Sequence, residues 1–389
     1  MTVTVAKGFV ASGVAAGLKK SGNKDVALVV NQGPLKAAAA VFTSNRCQAN
    51  PVLWSKQAIA DGEIEAIVLN SGGANCYTGP QGFQTTHATA EKVAEELTLL
   101  GTEVSAGDVL VCSTGLIGDQ LDREKLLAGV SGAAASLSPQ AGQQAAEAIM
   151  TTDSVSKTAA RTSPAGWSIG GMAKGAGMLA PGLATMLVVI TTDAHIDAKG
   201  LDTALRSATR VTFDRLDSDG CMSTNDTVAL MASGASGITP SAEAFATLLR
   251  EVSEDLALQL LADAEGSSHD IAISVTGAAS ETDAVEVGRS VARNNLFKAA
   301  VYGNDPNWGR ILAAVGTTSA EFDPYNIDVS INGVSVSRLG QPDQPRDLVD
   351  MTPRRVDIGI NLNAGSHAAT IYTNDLTHAY VTENSEYSS

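Results

Sequence analysis

The chain has 389 residues, with 42 acidic side chains against 26 basic ones and a formal charge of −16. Its 44% hydrophobic and 17% charged residues exclude wholesale disorder, and the length suits two or three domain cores or one large α/β unit. The acidic balance argues against a nucleic-acid or anionic-membrane partner, because either needs a basic footprint.

In chain order, an apolar run from Phe9 to Leu18 ends in Lys19-Lys20; a signal peptide would put its charges first, so that reading is rejected. Val26 to Val30, Glu65 to Leu69 and Asp108 to Cys112 read as short buried strands, the last followed by Ser113-Thr114-Gly115. Thr86 to Leu97 reads as a helix, as does Ala141 to Met150, with Ser138 as N-cap and Pro139 at the first helical position. Gly170 to Gly177 predicts a turn with close backbone packing; a phosphate loop is excluded because Lys174 precedes Gly175 and a strand follows. That strand is Thr185 to Ile190, and the surrounding apolar run from Leu183 is too short to span a bilayer. Phe245, Leu248, Leu249, Val252 and Leu256 keep helical spacing over Ala242 to Leu261. Ile327, Val329 and Ile331 alternate with polar residues before a hairpin turn at Asn332-Gly333, and Val356 to Leu362 alternates as a strand with one wet face. The polar last five residues read as a frayed tail. Four scattered cysteines with no C-x-x-C pair, and histidines with no H-E-x-x-H pattern, point to reduced thiols in a cytoplasmic protein. Neither metal nor cofactor is expected.

Thr185 has two readings. One is a β-former whose hydroxyl bonds to a neighbour. The other is a residue that becomes an N-terminus when its preceding peptide bond breaks, its new amine then activating its hydroxyl as a nucleophile. Small Ala184 leaves room for attack on its carbonyl.

The stretch from Lys174 to Asp193 resembles the self-cleavage site of the ornithine acetyltransferases (glutamate N-acetyltransferases) of arginine biosynthesis. Further similarities run through nearly the whole chain: Lys7 to Gly13, Phe42 to Arg46, Asn70 to Asn75, Ser113 to Gly118, Met150 to Asp153, Ser223 to Thr227, Asp305 to Arg310, Asp375 to His378 and Glu383 to Ser389. The resemblance implies an α/β, autoprocessed N-terminal-nucleophile-like fold with mixed sheets layered with helices. It implies cleavage between Ala184 and Thr185 into an α chain (1–184) and a β chain (185–389), sharing cores that neither half completes alone. Free Thr185 would take acetyl from N-acetylornithine, release ornithine, and pass the acetyl group to glutamate as N-acetylglutamate in ping-pong fashion. Thr114 and Gly115 match the oxyanion hole, in the loop after a strand. Thr151 (at the end of its helix), Lys174, Thr185, Glu265, Asn384 and Ser389 match substrate contacts, with Lys174 on the α-carboxylate and Glu265 on an ammonium. The polar tail would then fold back into the site. αβ heterodimers would pair into a heterotetramer. Whether acetyl-CoA also donates to glutamate stays open. Two alternatives are an aminopeptidase or other hydrolase of the same autoprocessed architecture, and a binding protein without turnover.

Two departures are visible: Gly73 stands where the family often has Asn, and Gly182-Leu183 replace a commoner Asn-Met. Neither touches the nucleophile or an oxyanion donor. The charge divides unevenly across the expected cleavage point, with 13 basic and 14 acidic side chains before it and 13 and 28 after it.

Overall fold

A computed structural model of the chain describes residues 2–180 and 186–386. Ala184, Thr185 and Ser389 lie outside the described residues.

Strand β1 (Phe9–Val14) pairs antiparallel with β2 (Val26–Asn31). β3 (Ala38–Phe42) leaves for a second sheet, and α1 (Asn50–Ala58) leads to β4 (Ala66–Ser71), antiparallel to β2. Helix α2 (Gly79–Leu99) crosses to β5 (Val109–Thr114), parallel to β4. After α3 (Arg123–Ala135) and α4 (Gly142–Ala148), β6 (Lys157–Thr162) and β7 (Ser168–Lys174) form an antiparallel pair. β8 (Leu187–Thr192) lies antiparallel to β7; α5 (Ala198–Val211) then leads to β9 (Thr227–Ala232), parallel to β8 and antiparallel to β3. Helix α6 (Ala242–Ala262) precedes a third sheet. That sheet contains β10 (Asp270–Ala278), then, after α7 (Glu281–Ala292), α8 (Asn295–Tyr302) and α9 (Trp308–Val315), the strands β11 (Asp328–Ile331), β12 (Val334–Arg338), β13 (Gln341–Pro342), β14 (Arg355–Asn361) and β15 (His367–Asn374). Helix α10 (His378–Glu386) follows.

The first two sheets stack face to face between helices, which explains why their central strands show no wet face. In β2, Val26, Leu28 and Val30 point to a core shared with α2 and α3, while Ala27 and Val29 point to the layer between the sheets. In β8, Leu187 and Val189 enter that inter-sheet layer, and Val188 and Ile190 meet α5 and α6 on the far side. The order is helices, sheet, sheet, helices. Alanines and valines fill much of the inter-sheet layer, so a chain with 4% aromatic residues can still close its core.

The expected strands and the α6 helix are present, and Asn332 and Gly333 take positive φ in the hairpin between β11 and β12. Four expectations need correction. Helix α4 begins later than Ser138 implied, because Ser138 pairs with the backbone of Ala11 and its hydroxyl accepts the Gln140 N–H. It also ends at Ala148, so Thr151 lies in the bend beyond it. Gly170 and Gly171 sit within β7 rather than in the expected turn, while the expected close packing is present: a Cβ at Gly170 would meet the Thr2 carbonyl oxygen at 2.2 Å. The cores are only partly shared: those flanking the second sheet mix residues from both sides of 184/185, but α2 and α3 pack on N-terminal strands alone and the third sheet builds its own core.

Candidate active site

One end of the two stacked sheets gathers the C-terminal ends of β4, β5 and β7 and the N-terminal ends of β8 and β9. The register shows it: Ser71 pairs with Thr114, and Lys174 pairs with Leu187, which pairs with Thr227. Thr114 is therefore the last residue of β5 rather than part of the following loop, and it is buried. Its carbonyl accepts the Gly73 N–H at 3.0 Å. Gly115 turns away at φ +133°, and a Cβ there would come within 2.4 Å of the Gly73 nitrogen. The turn needs glycine for both reasons. Asn70 and Asn225 hold it from behind: Asn70 Oδ1 accepts the Ser113 hydroxyl at 2.6 Å, and Asn225 Nδ2 donates to the Ser113 carbonyl at 2.9 Å and the Ala74 carbonyl at 2.6 Å. Asn225 thus ties the second sheet to the first.

Lys174 reaches this turn from β7. It is 1% exposed, with Nζ 3.3 Å from the Thr114 hydroxyl oxygen and 4.0 Å from Asp153 Oδ2. Burial lowers its pKa from the ordinary lysine value, against the pull of Asp153. Burial by itself would raise the Asp153 carboxyl, but Lys174 and Lys157 outweigh it and hold it at about 2. Asp153 also accepts the Gly175 N–H at 2.6 Å and the Thr151 N–H at 2.9 Å, and Lys157 at 2.7 Å. A buried ammonium fixed on a hydroxyl oxygen forces that hydroxyl to donate elsewhere and strengthens it as a donor. Beside Gly115 and Thr151 opens a cavity of about 520 Å³.

Glu265 lines a separate cavity of about 230 Å³ with Asp219, Lys298 and Tyr380. Its N–H donates to the Ala176 carbonyl at 3.0 Å, and its carboxylate accepts the Thr152 hydroxyl at 2.7 Å and Asn384 Nδ2 at 3.0 Å. The tail helix α10 can dock because Gly266, at φ +60°, leaves room: a Cβ there would lie 2.2 Å from the Tyr380 nitrogen. Thr377 adds a hydroxyl bond to the Gly266 carbonyl at 2.6 Å.

A further carboxyl group is Asp226, just ahead of β9 and fully buried. Its Oδ1 accepts the Met186 N–H at 3.0 Å, the N–H of the peptide that joins Met186 to Thr185. Its Oδ2 finds no hydrogen-bond partner among the described residues. Burial raises its pKa well above the ordinary carboxyl range, against the Met186 N–H.

Of the residues expected at the site, Thr114, Gly115, Thr151, Lys174, Glu265 and Asn384 fall in this one region. Lys174 is a buried strand residue, and its ammonium lies on the Thr114 hydroxyl at this sheet end. Sequence reasoning assigned no role to Asp153, Asn225 or Asp226. The available signal was polar runs abutting buried strands: Ser223 to Thr227 stands directly before the wholly apolar Val228 to Ala232.

A four-layer fold with a hydroxyl, a glycine turn and a desolvated ammonium converging at one sheet end fits an enzyme that handles acyl groups. The ArgJ family model matches residues 10–389. The arginine biosynthesis bifunctional protein ArgJ of Streptomyces avermitilis is 63% identical over 389 residues, covering 100% of both chains. That of Thermobifida fusca is 59% identical over 388 residues, again covering 100% of both. A solved ornithine acetyltransferase chain from Mycobacterium tuberculosis, crystallised with ornithine, is 54% identical; the match covers 48% of this chain and 96% of that one, at a TM-score of 0.46. The chain belongs to the ArgJ family and is an acyltransferase. No helix among the described residues is long and apolar enough to cross a membrane.

Proposed function

We propose that the protein cleaves itself between Ala184 and Thr185 and then moves acetyl from N-acetylornithine to glutamate through an ester on Thr185. In self-cleavage the Thr185 hydroxyl attacks the Ala184 carbonyl carbon, the C–N bond breaks, and water hydrolyses the resulting ester. Thr185 is left with a free amine, which serves as base for its own hydroxyl. In the first half-reaction the hydroxyl attacks the acetyl carbonyl and ornithine leaves; in the second, the glutamate amine takes the acetyl group. Both pass through an oxyanion, which the Thr114 hydroxyl and the Gly115 N–H stabilise. Lys174 acts from behind Thr114, donating to its oxygen. Glu265, with Asn384 beside it, offers its free lone pairs to an ammonium of ornithine, and Thr151 lines the cavity where substrate lies. Ser389 completes the substrate contacts of this reading. The site works in the cytoplasm without a cofactor, in an αβ pair that associates into a heterotetramer.

The observation that carries this reading is Lys174 Nζ on the Thr114 hydroxyl, at the sheet end from which β8 starts two residues after Thr185. The test is acetyl transfer by the purified protein from N-acetylornithine to glutamate, with initial rates giving parallel double-reciprocal lines. Release of free acetate at a rate independent of glutamate would establish the hydrolase instead. Repeating the assay with acetyl-CoA decides whether it is a second donor.

A further inference from the structure

We propose that a chain of buried charges, Asp153, Lys157 and Asp263, sets the distance between the Thr114–Gly115 turn and Glu265, and so selects the acetyl donor by the length of its side chain. This rests on the acetyl-transfer reading above, in which the acetyl carbonyl lies at the turn and the ammonium of N-acetylornithine lies on Glu265. Two contact points accept one chain length only if neither can shift. The three residues line neither cavity and are positioning residues, acting through the groups they hold.

Asp153 ties together the two segments that carry the site. Its carboxylate accepts the Thr151 N–H at 2.9 Å and the Gly175 N–H at 2.6 Å. The next residue in each segment holds Glu265: the Thr152 hydroxyl donates to its carboxylate at 2.7 Å, and the Ala176 carbonyl accepts its N–H at 3.0 Å. Gly177 leaves that carboxylate room, since a Cβ there would lie 2.5 Å from both of its oxygens. Thr151 lines the cavity beside Gly115 and Glu265 lines the other, so the adjacent residues Thr151 and Thr152 serve both.

Lys157 extends this tie to helix α6. It is fully buried, and its Nζ donates to Asp153 at 2.7 Å and to Asp263 at 2.5 Å. Asp263 stands at the C-terminal cap of α6, two residues before Glu265, and also accepts the Ser154 N–H at 3.0 Å. Two further bonds between Thr158 and Gln259, each 3.1 Å, lock β6 onto α6. Lys174, 4.0 Å from Asp153, forms the near end, so charges alternate from the Thr114 hydroxyl to the end of α6. Such a buried row carries a desolvation cost that an apolar core would not, which points to a role in geometry rather than in stability.

The test measures kcat/KM with N-acetylornithine and with donors one methylene longer (the N2-acetyl derivative of lysine) and one shorter (that of 2,4-diaminobutyrate). Wild type should prefer N-acetylornithine over each by about 10–200-fold. Asp263→Ala leaves Lys157 paired with Asp153 alone and should cut that preference about tenfold, the loss falling mainly on N-acetylornithine. Asp263→Asn keeps an acceptor and should retain most of the preference. Thr152→Val breaks only the last link, to Glu265, and should cut the preference in the same direction; it carries the test if Asp263→Ala loses fragment formation or its Tm. A purely structural role would lower all three donors by one factor. That result, an unchanged preference in both variants, a wild type indifferent to length, or Asp263→Asn no better than Asp263→Ala would each overturn the proposal. If wild type transfers no acetyl from N-acetylornithine, the acetyl-transfer reading fails first, which separates the two.

Discussion

Replacing Thr114 by Val keeps shape and β-branching at the end of β5 and removes only the hydroxyl. The side chain is buried, and Lys174 Nζ lies 3.3 Å from its oxygen, so two effects separate cleanly. Loss of one of two oxyanion donors costs about 2.7–4 kcal/mol of barrier, or roughly 10²–10³ in rate. Loss of the only hydrogen-bond acceptor within reach of Lys174 among the described residues costs about 1–3 kcal/mol of stability, since Asp153 stays at 4.0 Å. Single-turnover measurement of each half-reaction is the assay. Acetylation by N-acetylornithine and deacetylation by glutamate should slow by similar factors, because both oxyanions form at one carbonyl position. KM should move little, because the hydroxyl acts on the transition state more than on bound substrate. A folded, processed Thr114→Val enzyme with kcat within a few-fold of wild type would refute the oxyanion assignment.

Asp226 should matter before Thr185 is free: Asp226→Ala removes the acceptor for the Met186 N–H, so the full-length band should persist on a denaturing gel, while Asp226→Asn, which keeps an acceptor, processes faster than Asp226→Ala. Asp217 carries a pH signature. Burial raises its carboxyl to about 6 despite Arg293 Nε at 2.8 Å, so the folded state keeps a proton that the unfolded chain has lost. Its contribution is full below about pH 4 and fades as pH rises through 6, a loss on the order of 2–3 kcal/mol that Asp217→Asn should remove from urea midpoints over that window. Deleting Asn384 and the residues after it should lower transfer activity while leaving the two fragments formed, since Asn384 holds Glu265 at 3.0 Å; full activity in the truncated enzyme would show the tail to be dispensable.

Much of this was legible along the chain because buried strands write themselves as apolar runs. Val26 to Val30 shows no alternation because alternate residues face two different cores, and helix α6 shows its packed face at Phe245, Leu249, Val252 and Leu256. Two kinds of feature were not legible. Gly170 and Gly171 look like a turn until the Thr2 backbone and the Leu256 side chain are seen pressed against them, a contact between residues far apart in sequence. Asp153 and Lys174 look like ordinary polar residues beside a glycine run; their burial against Lys157 and Thr114 comes from sheet stacking, which no local pattern encodes. The motif resemblance brought Thr114, Lys174 and Glu265 to notice, but the contact between Lys174 and Thr114 is seen only from where their strands end.

The most direct test of the account is the intact mass of the fragment that begins at Thr185, taken after brief incubation with N-acetylornithine and no glutamate. The account predicts that this fragment alone gains one acetyl group, mapped to Thr185, and loses it when glutamate is added. A protein that transfers acetyl while this fragment stays unmodified, or while the acetyl group sits on another residue, would contradict it.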